Sequence, residues 1–200
     1  MRDFWNARYA DSAYLFGTEP NAFLVSRADL LKSGQKVLAV ADGEGRNGVW
    51  LAQRGLDVLS VDISPVALEK AGRLADKAGV ALRTETVDLL AWEWGRDRFD
   101  AIVAIFIQFV GSDERQVIHR RMVEALKPGG LLILQGYTPK QLEYGTGGPP
   151  HADNLYDEST LRREFAALEI LHLREHEEVI CEGKGHCGMS ALVDLVARKP

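Results

Sequence analysis

The stretch VLAVADGEGRNG, residues 37–48, decides the fold because it joins a short apolar run to a turn rich in glycine. Its glycines have the G-x-G-x-x-G spacing of a turn that leads from a strand into a helix and binds a nucleotide there. The turn also carries Asp42 and Glu44, whose carboxylates would face a bound pyrophosphate. The stretch therefore predicts a nucleotide site after a buried strand, with a ligand that is neutral or cationic near the turn.

Short runs rich in Val, Ile and Leu alternate with longer amphipathic segments from residue 36 onward, which is typical of repeated βαβ units. Near the C-terminus, LEILHLREHEEVI and MSALVDLVARK flank a glycine-rich turn and predict an antiparallel hairpin. We therefore expect an α/β fold: a doubly wound, Rossmann-like, mostly parallel seven-stranded sheet with helices on both faces and a C-terminal antiparallel hairpin. The predicted parallel strands are 36–41, 57–62, 81–88, 99–107 and 131–136.

The size and composition of the chain are those of one domain, with 200 residues of which 46% are hydrophobic. We expect a helical N-terminal lid over residues 1–30, a cofactor-binding core over 36–136, and a substrate-side loop with the closing hairpin over 137–200. The formal net charge of −5 gives no general attraction to nucleic acid. A small-molecule substrate is the expected partner, and the sequence leaves the oligomeric state open.

No segment has the apolar length of a secretion signal or a membrane span, so we expect a cytoplasmic protein without a membrane partner. Cys181 and Cys187 are the only cysteines, which argues against a disulfide framework and fits a reducing compartment. We expect both to be ordinary reduced thiols. With His186 they form C-x4-H-C, which lacks a standard zinc-ligand spacing, so we expect no metal site.

Ligands of doubly wound sheets collect at the carboxyl ends of the strands, near the switch in strand order. Asp62 follows the second strand and lies 20 residues beyond Asp42, the distance at which an acidic side chain accepts hydrogen bonds from ribose hydroxyls. The spacing alone leaves open that Asp62 only caps the next helix. The candidate cofactor-binding residues near the strand ends are Ala41, Asp42, Gly43, Gly45, Asp62, Ile63, Asp88, Leu89 and Ile105.

A ligand with a ribose and a positive charge would suit both features of the turn. Helix N-terminal amides favour anions, but Asp42 and Glu44 oppose a pyrophosphate, and Arg46 offsets only one of them. S-adenosylmethionine has a ribose for Asp62, an ammonium group for the turn, and an adenine amino group for which Asp88 is a candidate acceptor.

The segments VLAVADGEGRN, VLSVDIS, TETVDLL, FDAIVAIF and LKPGGLLIL occur in the order and approximate spacing of the motifs of class I S-adenosylmethionine-dependent methyltransferases. This resemblance covers roughly residues 36–136. The turn GEGRN, the N-terminal WNARY and YLFGTEPN, and the C-terminal CEGKGHCG resemble the tellurite-resistance branch of that superfamily and its small bacterial relatives. The resemblance implies methyl transfer from S-adenosylmethionine, with S-adenosylhomocysteine as a product.

Two positions depart from the superfamily's pattern. Ala39 stands in the first strand where the superfamily often has an acidic residue, and Ala41 stands where it has glycine. We expect Asp42 or Glu44 to replace the missing acid as the partner of the cofactor's ammonium group.

The resemblance of EGKGHCG to the family's corresponding loop makes His186 the candidate catalytic residue. A histidine there could take a proton from the nucleophile at neutral pH or orient it, and the alternative is an exposed loop residue. Tyr137 and Tyr144, near the end of the fifth strand, are further candidate substrate contacts.

The N-terminal segment supplies aromatic rings, which attract a cation by roughly 0.5–2 kcal/mol each. Phe4 and Trp5 could equally pack the first helix onto the domain, whereas Tyr9 and Tyr14 have polar tips and are better candidates for a lid. Arg8 could pair with the cofactor's carboxylate or remain solvated.

The fourth strand is followed by IFIQFV, without the Asn/Asp-Pro-Pro-aromatic signature of methyltransferases that act on bases or amides. Small acceptors therefore remain, including thiols, oxyanions and metalloid species. A nicotinamide (NAD)-dependent oxidoreductase is the enzymatic alternative, opposed by Asp42 and Glu44. A non-catalytic cofactor-binding module is the third hypothesis, and Ala39 favours it.

Overall fold

The computed structural model describes all 200 residues and builds one seven-stranded sheet. The strands are β1 Lys36–Val40, β2 Asp57–Asp62, β3 Arg83–Thr86, β4 Phe99–Ile105, β5 Leu126–Tyr137, β6 Glu169–Glu182 and β7 His186–Arg198. Their order in the sheet is β3-β2-β1-β4-β5-β7-β6. The first five are parallel, and β7 is antiparallel to both of its neighbours. The predicted fold class, with its closing hairpin, is confirmed.

Seven α-helices and two short 3-10 helices precede or connect these strands. The α-helices are α1 Arg2–Arg8, α2 Ala22–Ser26, α3 Arg46–Gln53, α4 Pro65–Ala78, α5 Ser112–Ala125, α6 Gln141–Tyr144 and α7 Glu158–Glu164. The 3-10 helices are Ala28–Leu30 and Ala152–Asn154. None of the helices combines the length and the apolarity that crossing a bilayer requires.

The position of each strand in the sheet follows from its pattern of apolar residues. Strand β4 is buried along almost its whole length and lies at the centre, between β1 and β5, as its continuous apolar run predicted. Strand β3 is exposed and forms one edge. The strand order reverses between β1 and β4, so the carboxyl ends of these two strands flank the crevice where such sheets bind ligands.

The core lies on both faces of the sheet because successive residues of a strand point to opposite sides. In β1, Leu38 and Val40 belong to a cluster of 25 buried residues. Val37 and Ala39 belong to a second cluster of 14 on the other face. Covering both faces leaves the strand ends as the place where polar side chains can meet a ligand.

Strand β5 begins earlier than predicted, at Leu126 rather than at residue 131. Leu126 pairs with Phe99, and the register then shifts before Ala101 pairs with Leu131. The sequence Lys-Pro-Gly-Gly has the composition of a helix stop, whereas in the structure it lies inside the strand, at this irregularity.

Gly45 shows why the glycine turn tolerates only glycine at this position. It precedes α3 with a φ of +85°, and a Cβ there would lie 2.5 Å from the Cβ of Ala71 on α4. The close approach of α3 to α4 therefore depends on the missing side chain.

We expect Gly45→Ala to destabilise the protein more than the matched variant Gly79→Ala. Gly79 also has a positive φ, of +69°, but a Cβ added there would have no atom within 4 Å. A left-handed alanine costs about 1–2 kcal/mol, and overpacking adds about 1–3 kcal/mol at Gly45 only. Urea unfolding followed by circular dichroism measures the difference, and equal losses would contradict the packing argument.

Cys181 and Cys187 form a disulfide, so the prediction of reduced thiols is wrong. The two residues are paired in register across β6 and β7, with their Cα atoms 4.1 Å apart. The sequence argument weighed only the number of cysteines, whereas the hairpin register is what places the thiols opposite each other. The pairing removes one of the observations on which the expected cytoplasmic location rested.

Candidate active site

A cavity of about 700 Å³ lies at the carboxyl ends of β1, β2 and β4. The N-terminal segment (residues 1–17) lies along one side of it, and the turn between β6 and β7 along another. The structure brings most of the predicted site residues to its wall. These are Arg8, Ala41, Asp42, Gly43, Asp62, Ile63, Asp88, Leu89, Ile105, Tyr137 and His186.

Three predicted contacts lie outside the cavity wall. The hydroxyl of Tyr14 donates to the carbonyl oxygen of Lys70 at 3.1 Å, so this ring packs against α4 instead of forming a lid over the cavity. Gly45 faces α4 and contributes close helix packing. Tyr144 binds the carboxylate of Glu177 on β6. The predictions of ligand contacts for these three residues find no support in the structure.

Asp62 fastens the glycine turn to the start of α4. Its Oδ2 accepts from the backbone N–H of Gly43 at 3.0 Å, and its Oδ1 accepts from the backbone N–H of Ser64 at 2.9 Å. Burial raises the pKa of this carboxyl above its usual range. A carboxylate has about four lone-pair sites, so Asp62 keeps acceptor capacity for a ligand hydroxyl. The structural and the ribose-binding interpretations of Asp62 are therefore compatible.

Asp42 is buried beneath the same turn. It accepts from the hydroxyl of Ser60 at 2.8 Å and from the backbone N–H of Gly48 at 3.1 Å. Burial raises its pKa to about 7, although both hydrogen bonds favour the ionised form. Because Asp42 is then only partly ionised near neutral pH, it opposes an anion less than the sequence argument assumed.

Glu44 is paired inside the protein. Its carboxylate contacts the ammonium group of Lys70, and its Oε2 accepts from the backbone N–H of Leu15 at 2.7 Å. Both side chains of the ion pair are almost completely buried. The prediction that Glu44 repels a pyrophosphate or binds an ammonium group therefore lacks support. Instead, it holds the N-terminal segment against α4.

The aromatic rings of the N-terminal segment form a continuous series toward His186. Trp5 stacks on Tyr9 with centroids 5.6 Å apart, and Tyr9 meets Phe16 edge to face at 6.3 Å. Phe16 packs on the imidazole of His186 at 4.5 Å. The exposed Arg8 places its guanidinium over Trp5 at 5.2 Å. These contacts close one side of the cavity with aromatic surface.

His186 lies among aromatic rings at the turn between β6 and β7. Its ring is 4.6 Å from that of Phe106 and 5.6 Å from that of Tyr137, and only 8% of the residue is exposed. Burial lowers its pKa below the usual value of 6.5, although the nearby Glu182 carboxylate opposes this shift. The imidazole is therefore neutral at pH 7 and able to accept a proton.

Tyr137 presents a buried hydroxyl that has no hydrogen-bond partner. Its ring stacks on Phe106 at 4.7 Å, and burial raises the pKa of the phenol above its usual range. The hydroxyl therefore stays protonated. Because an unpaired buried hydroxyl is costly, this group is suited to bind a polar atom of a ligand.

Residues 106–109 were expected near the site because they follow the fourth strand, but their role in holding these side chains was not predicted. Gln108 donates from Nε2 to the carbonyl oxygen of Tyr137 at 2.8 Å and accepts from its N–H at 2.6 Å. Phe106 has a φ of +55°, which is strained for a residue with a side chain. No local sequence pattern indicates the hydrogen bonds of Gln108 or the positive φ of Phe106. Both residues follow a central strand, which is where ligand-binding residues of such sheets lie.

The comparisons with known proteins agree with this geometry. Residues 37–130 match the family described as methyltransferase domain. The glycine/sarcosine N-methyltransferase of Halorhodospira halochloris is 37% identical over 114 residues. That match covers 53% of this chain and 41% of the relative, so the chain spans about two-fifths of that protein's length.

Two solved structures share the fold over the whole chain. TehB from Haemophilus influenzae superposes with a TM-score of 0.73 at 20% identity, over 100% of this chain and 67% of that one. The N-methyltransferase NodS from Bradyrhizobium japonicum WM9, in complex with S-adenosylhomocysteine, gives 0.73 at 15% identity, over 100% and 98%.

The sheet order and the cavity at its strand ends define a Rossmann-like methyltransferase fold. In its methyltransferase domain and in its fold the chain is similar to the class I S-adenosylmethionine-dependent methyltransferases, and the cofactor of these enzymes is S-adenosylmethionine. The recognition made from the ordered motifs is confirmed.

Proposed function

We propose that this chain transfers a methyl group from S-adenosylmethionine to a small-molecule nucleophile that binds beside His186. The observation that carries the proposal is a neutral, aromatic-enclosed imidazole in the same cavity as Asp62. A carboxylate able to accept hydrogen bonds from a ribose and an imidazole able to accept a proton thus line the same cavity. This is the arrangement that transfer between a bound nucleoside and a second molecule requires.

The cofactor-binding side of the cavity follows the strand ends. Asp62 accepts the ribose hydroxyls, and Asp88 accepts from the adenine amino group, with Ile63 and Leu89 packing on the base. The turn from Ala41 to Gly43, together with Ile105 and Arg8, receives the amino-acid part. All these residues line the cavity, which supports the assignment.

The chain's contribution to the reaction is enclosure and alignment. The cofactor supplies a methyl group on a positively charged sulfur. Phe16, Phe106 and Tyr137 surround the acceptor side with aromatic surface, which excludes water and suits a dispersing positive charge. Holding two reactants at near-attack distance lowers the barrier by up to about 7–11 kcal/mol in well-oriented systems. Within the predicted lid of residues 1–30, the N-terminal segment (residues 1–17) would complete this enclosure.

The acceptor class follows from the state of His186. A neutral base is useful when the nucleophile carries a proton that must leave, as a thiol does. An oxyanion or metalloid anion needs no such base. A small thiol is therefore the acceptor that the cavity supports best, and the tellurite-resistance resemblance makes metalloid species the second class to screen.

Calorimetric titration of the purified protein with S-adenosylhomocysteine and, separately, with NADH tests the proposal. We expect micromolar binding of S-adenosylhomocysteine only. Binding of NADH only would replace the proposal with the oxidoreductase alternative. Binding of S-adenosylhomocysteine without methylation of any thiol, oxyanion or metalloid in an acceptor screen would instead favour a non-catalytic cofactor-binding module.

We expect Asp62→Ala to weaken S-adenosylhomocysteine binding by roughly 1–3 kcal/mol, or about 5- to 150-fold in Kd, because hydrogen bonds to a charged acceptor are lost. Asp57→Ala is the matched control, since Asp57 begins the same strand but pairs with the exposed Arg83 outside the cavity. Titration calorimetry of both variants measures the change. An unchanged Kd in a folded Asp62 variant would remove the ribose role.

A further inference from the structure

Glu182 ends β6 and lies opposite His186, with which it is paired across the hairpin. Its side chain is 13% exposed and meets donors from two other elements. Oε2 accepts from Nη2 of Arg46 on α3 at 2.6 Å, and Oε1 accepts from Nδ2 of Asn21, the N-cap of α2, at 2.9 Å. The carboxylate is therefore fixed from outside its own strand.

The amide that holds Glu182 is itself held by a buried network. The backbone N–H of Asn21 donates to Oδ1 of Asn47 at 2.9 Å. Nδ2 of Asn21, which holds Glu182, also donates to Oε1 of Gln135 at 2.7 Å. Nε2 of Gln135 donates to Oδ1 of Asp194 at 2.6 Å. A fully satisfied network of this kind gives a buried side chain one orientation.

The charge state of Glu182 suits a role next to a base. Although burial opposes ionisation, His186 and Arg46 lower the pKa of Glu182 to about 2, so the carboxylate is charged at physiological pH. Its Oε2 lies 3.8 Å from Nδ1 of His186, and this buried nitrogen has no hydrogen bond in the protein. The separation exceeds hydrogen-bond length, but catalytic hydrogen bonds are often long before substrate binds.

We propose that Glu182 is a positioning residue that accepts the Nδ1 proton of His186 and so directs the unprotonated Nε2 into the cavity. The inference rests on the proposed function and deepens it. When the acceptor loses its proton to Nε2, the electron pair left on the acceptor atom forms the new bond to the methyl group. The bond between the methyl carbon and the sulfonium sulfur breaks, its electron pair stays on the sulfur, and S-adenosylhomocysteine leaves. The adjacent carboxylate stabilises the imidazolium. The acceptor class is then a nucleophile that carries a proton, such as a thiol.

The charged groups around His186 act in opposite directions. Glu182 on the hairpin favours the protonated ring, whereas Arg46 on α3 and Arg8 on α1 disfavour it. Removing the carboxylate therefore lowers the pKa of His186 further. A purely structural salt link between the hairpin and α3 would leave the tautomer of the ring unchanged in any variant that folds, although loss of the nearby charge would still lower the pKa of His186.

The test is NMR of the imidazole nitrogens of His186 in the full chain saturated with S-adenosylhomocysteine, with the signals assigned by the variant His186→Asn. In the wild type we expect a neutral ring protonated at Nδ1. Glu182→Gln should retain that tautomer, because an amide oxygen can accept the proton, but should lower the pKa. Glu182→Ala should lose the preference for the Nδ1-protonated tautomer and should also lower the pKa of His186. Glu177→Gln, an exposed carboxylate on the same strand, is the matched control.

Turnover of a thiol acceptor gives the second measurement. We expect kcat to fall about 10-fold or more in Glu182→Ala and by less in Glu182→Gln, which is part of the 10²–10⁴-fold effect of general base catalysis. We also expect the rising limb of the pH profile to move to lower pH in both variants. An unaltered tautomer in a folded Glu182→Ala variant would overturn the inference. Failure of the wild type to bind S-adenosylhomocysteine would instead overturn the proposed function.

Discussion

Replacing Lys70 with alanine is expected to lower the free energy of unfolding by about 3–5 kcal/mol, because it leaves the Glu44 carboxylate buried without a counter-charge. Lys70 also donates to the carbonyl oxygens of Asp11 at 2.8 Å and Ala13 at 2.6 Å, so it fixes the backbone of the N-terminal segment. Urea unfolding measures the loss, and hydrogen exchange at the amide of Leu15 reports the release of the segment.

Two further variants separate the causes of this loss. The double variant Lys70→Met with Glu44→Gln removes both charges and is expected to recover much of the stability, since no uncompensated charge is then left buried. Lys77→Ala, in the last turn of the same helix, is exposed and is expected to change stability by no more than about 0.5 kcal/mol. A loss below about 1 kcal/mol in Lys70→Ala would contradict the ion-pair argument.

His186→Ala is expected to lower kcat by about 10²–10⁴-fold, the usual contribution of a general base, while the Kd for S-adenosylhomocysteine changes by less than about 3-fold. We expect this separation because His186 lies among Phe16, Phe106 and Tyr137, on the side of the cavity that we propose for the acceptor. His172→Ala is the control, since His172 packs on Phe23 away from the cavity.

The pH dependence of the wild type belongs to the same prediction. The pKa of His186 lies below 6.5, so its base form predominates at neutral pH, and kcat/KM should reach its plateau before pH 7. Steady-state kinetics from pH 5 to pH 9 measures the profile. Equal turnover in His186→Ala would leave His186 a structural loop residue, and loss of cofactor binding would place it on the cofactor side.

The elements of the fold were predictable because their signals are local. The apolar run of β4, the cap at Ser64 and the proline that begins α4 each lie within a few residues of the structure that they specify. Asp62 could be found because its spacing from the turn is set by one βα unit.

The rest of the site depends on pairings between distant parts of the chain. Glu44 is neutralised by Lys70 from α4, and Glu182 is held by Asn21 and Arg46. No local periodicity encodes these contacts, because each depends on how packed elements meet. For the same reason the sequence assigned Tyr14 to the cavity, although tertiary packing turns its hydroxyl toward Lys70.

Apart from Phe16 and Phe106, the two sides of the cavity come from different parts of the chain. The walls assigned to the cofactor precede β5, whereas Tyr137, the loop that contains residues 147–151, and His186 all follow residue 136. Loops tolerate exchange better than the sheet that supports them. A library that varies only residues 146–154 should therefore yield proteins with altered acceptor choice and unchanged cofactor affinity, which makes the C-terminal third the part in which new specificities can arise.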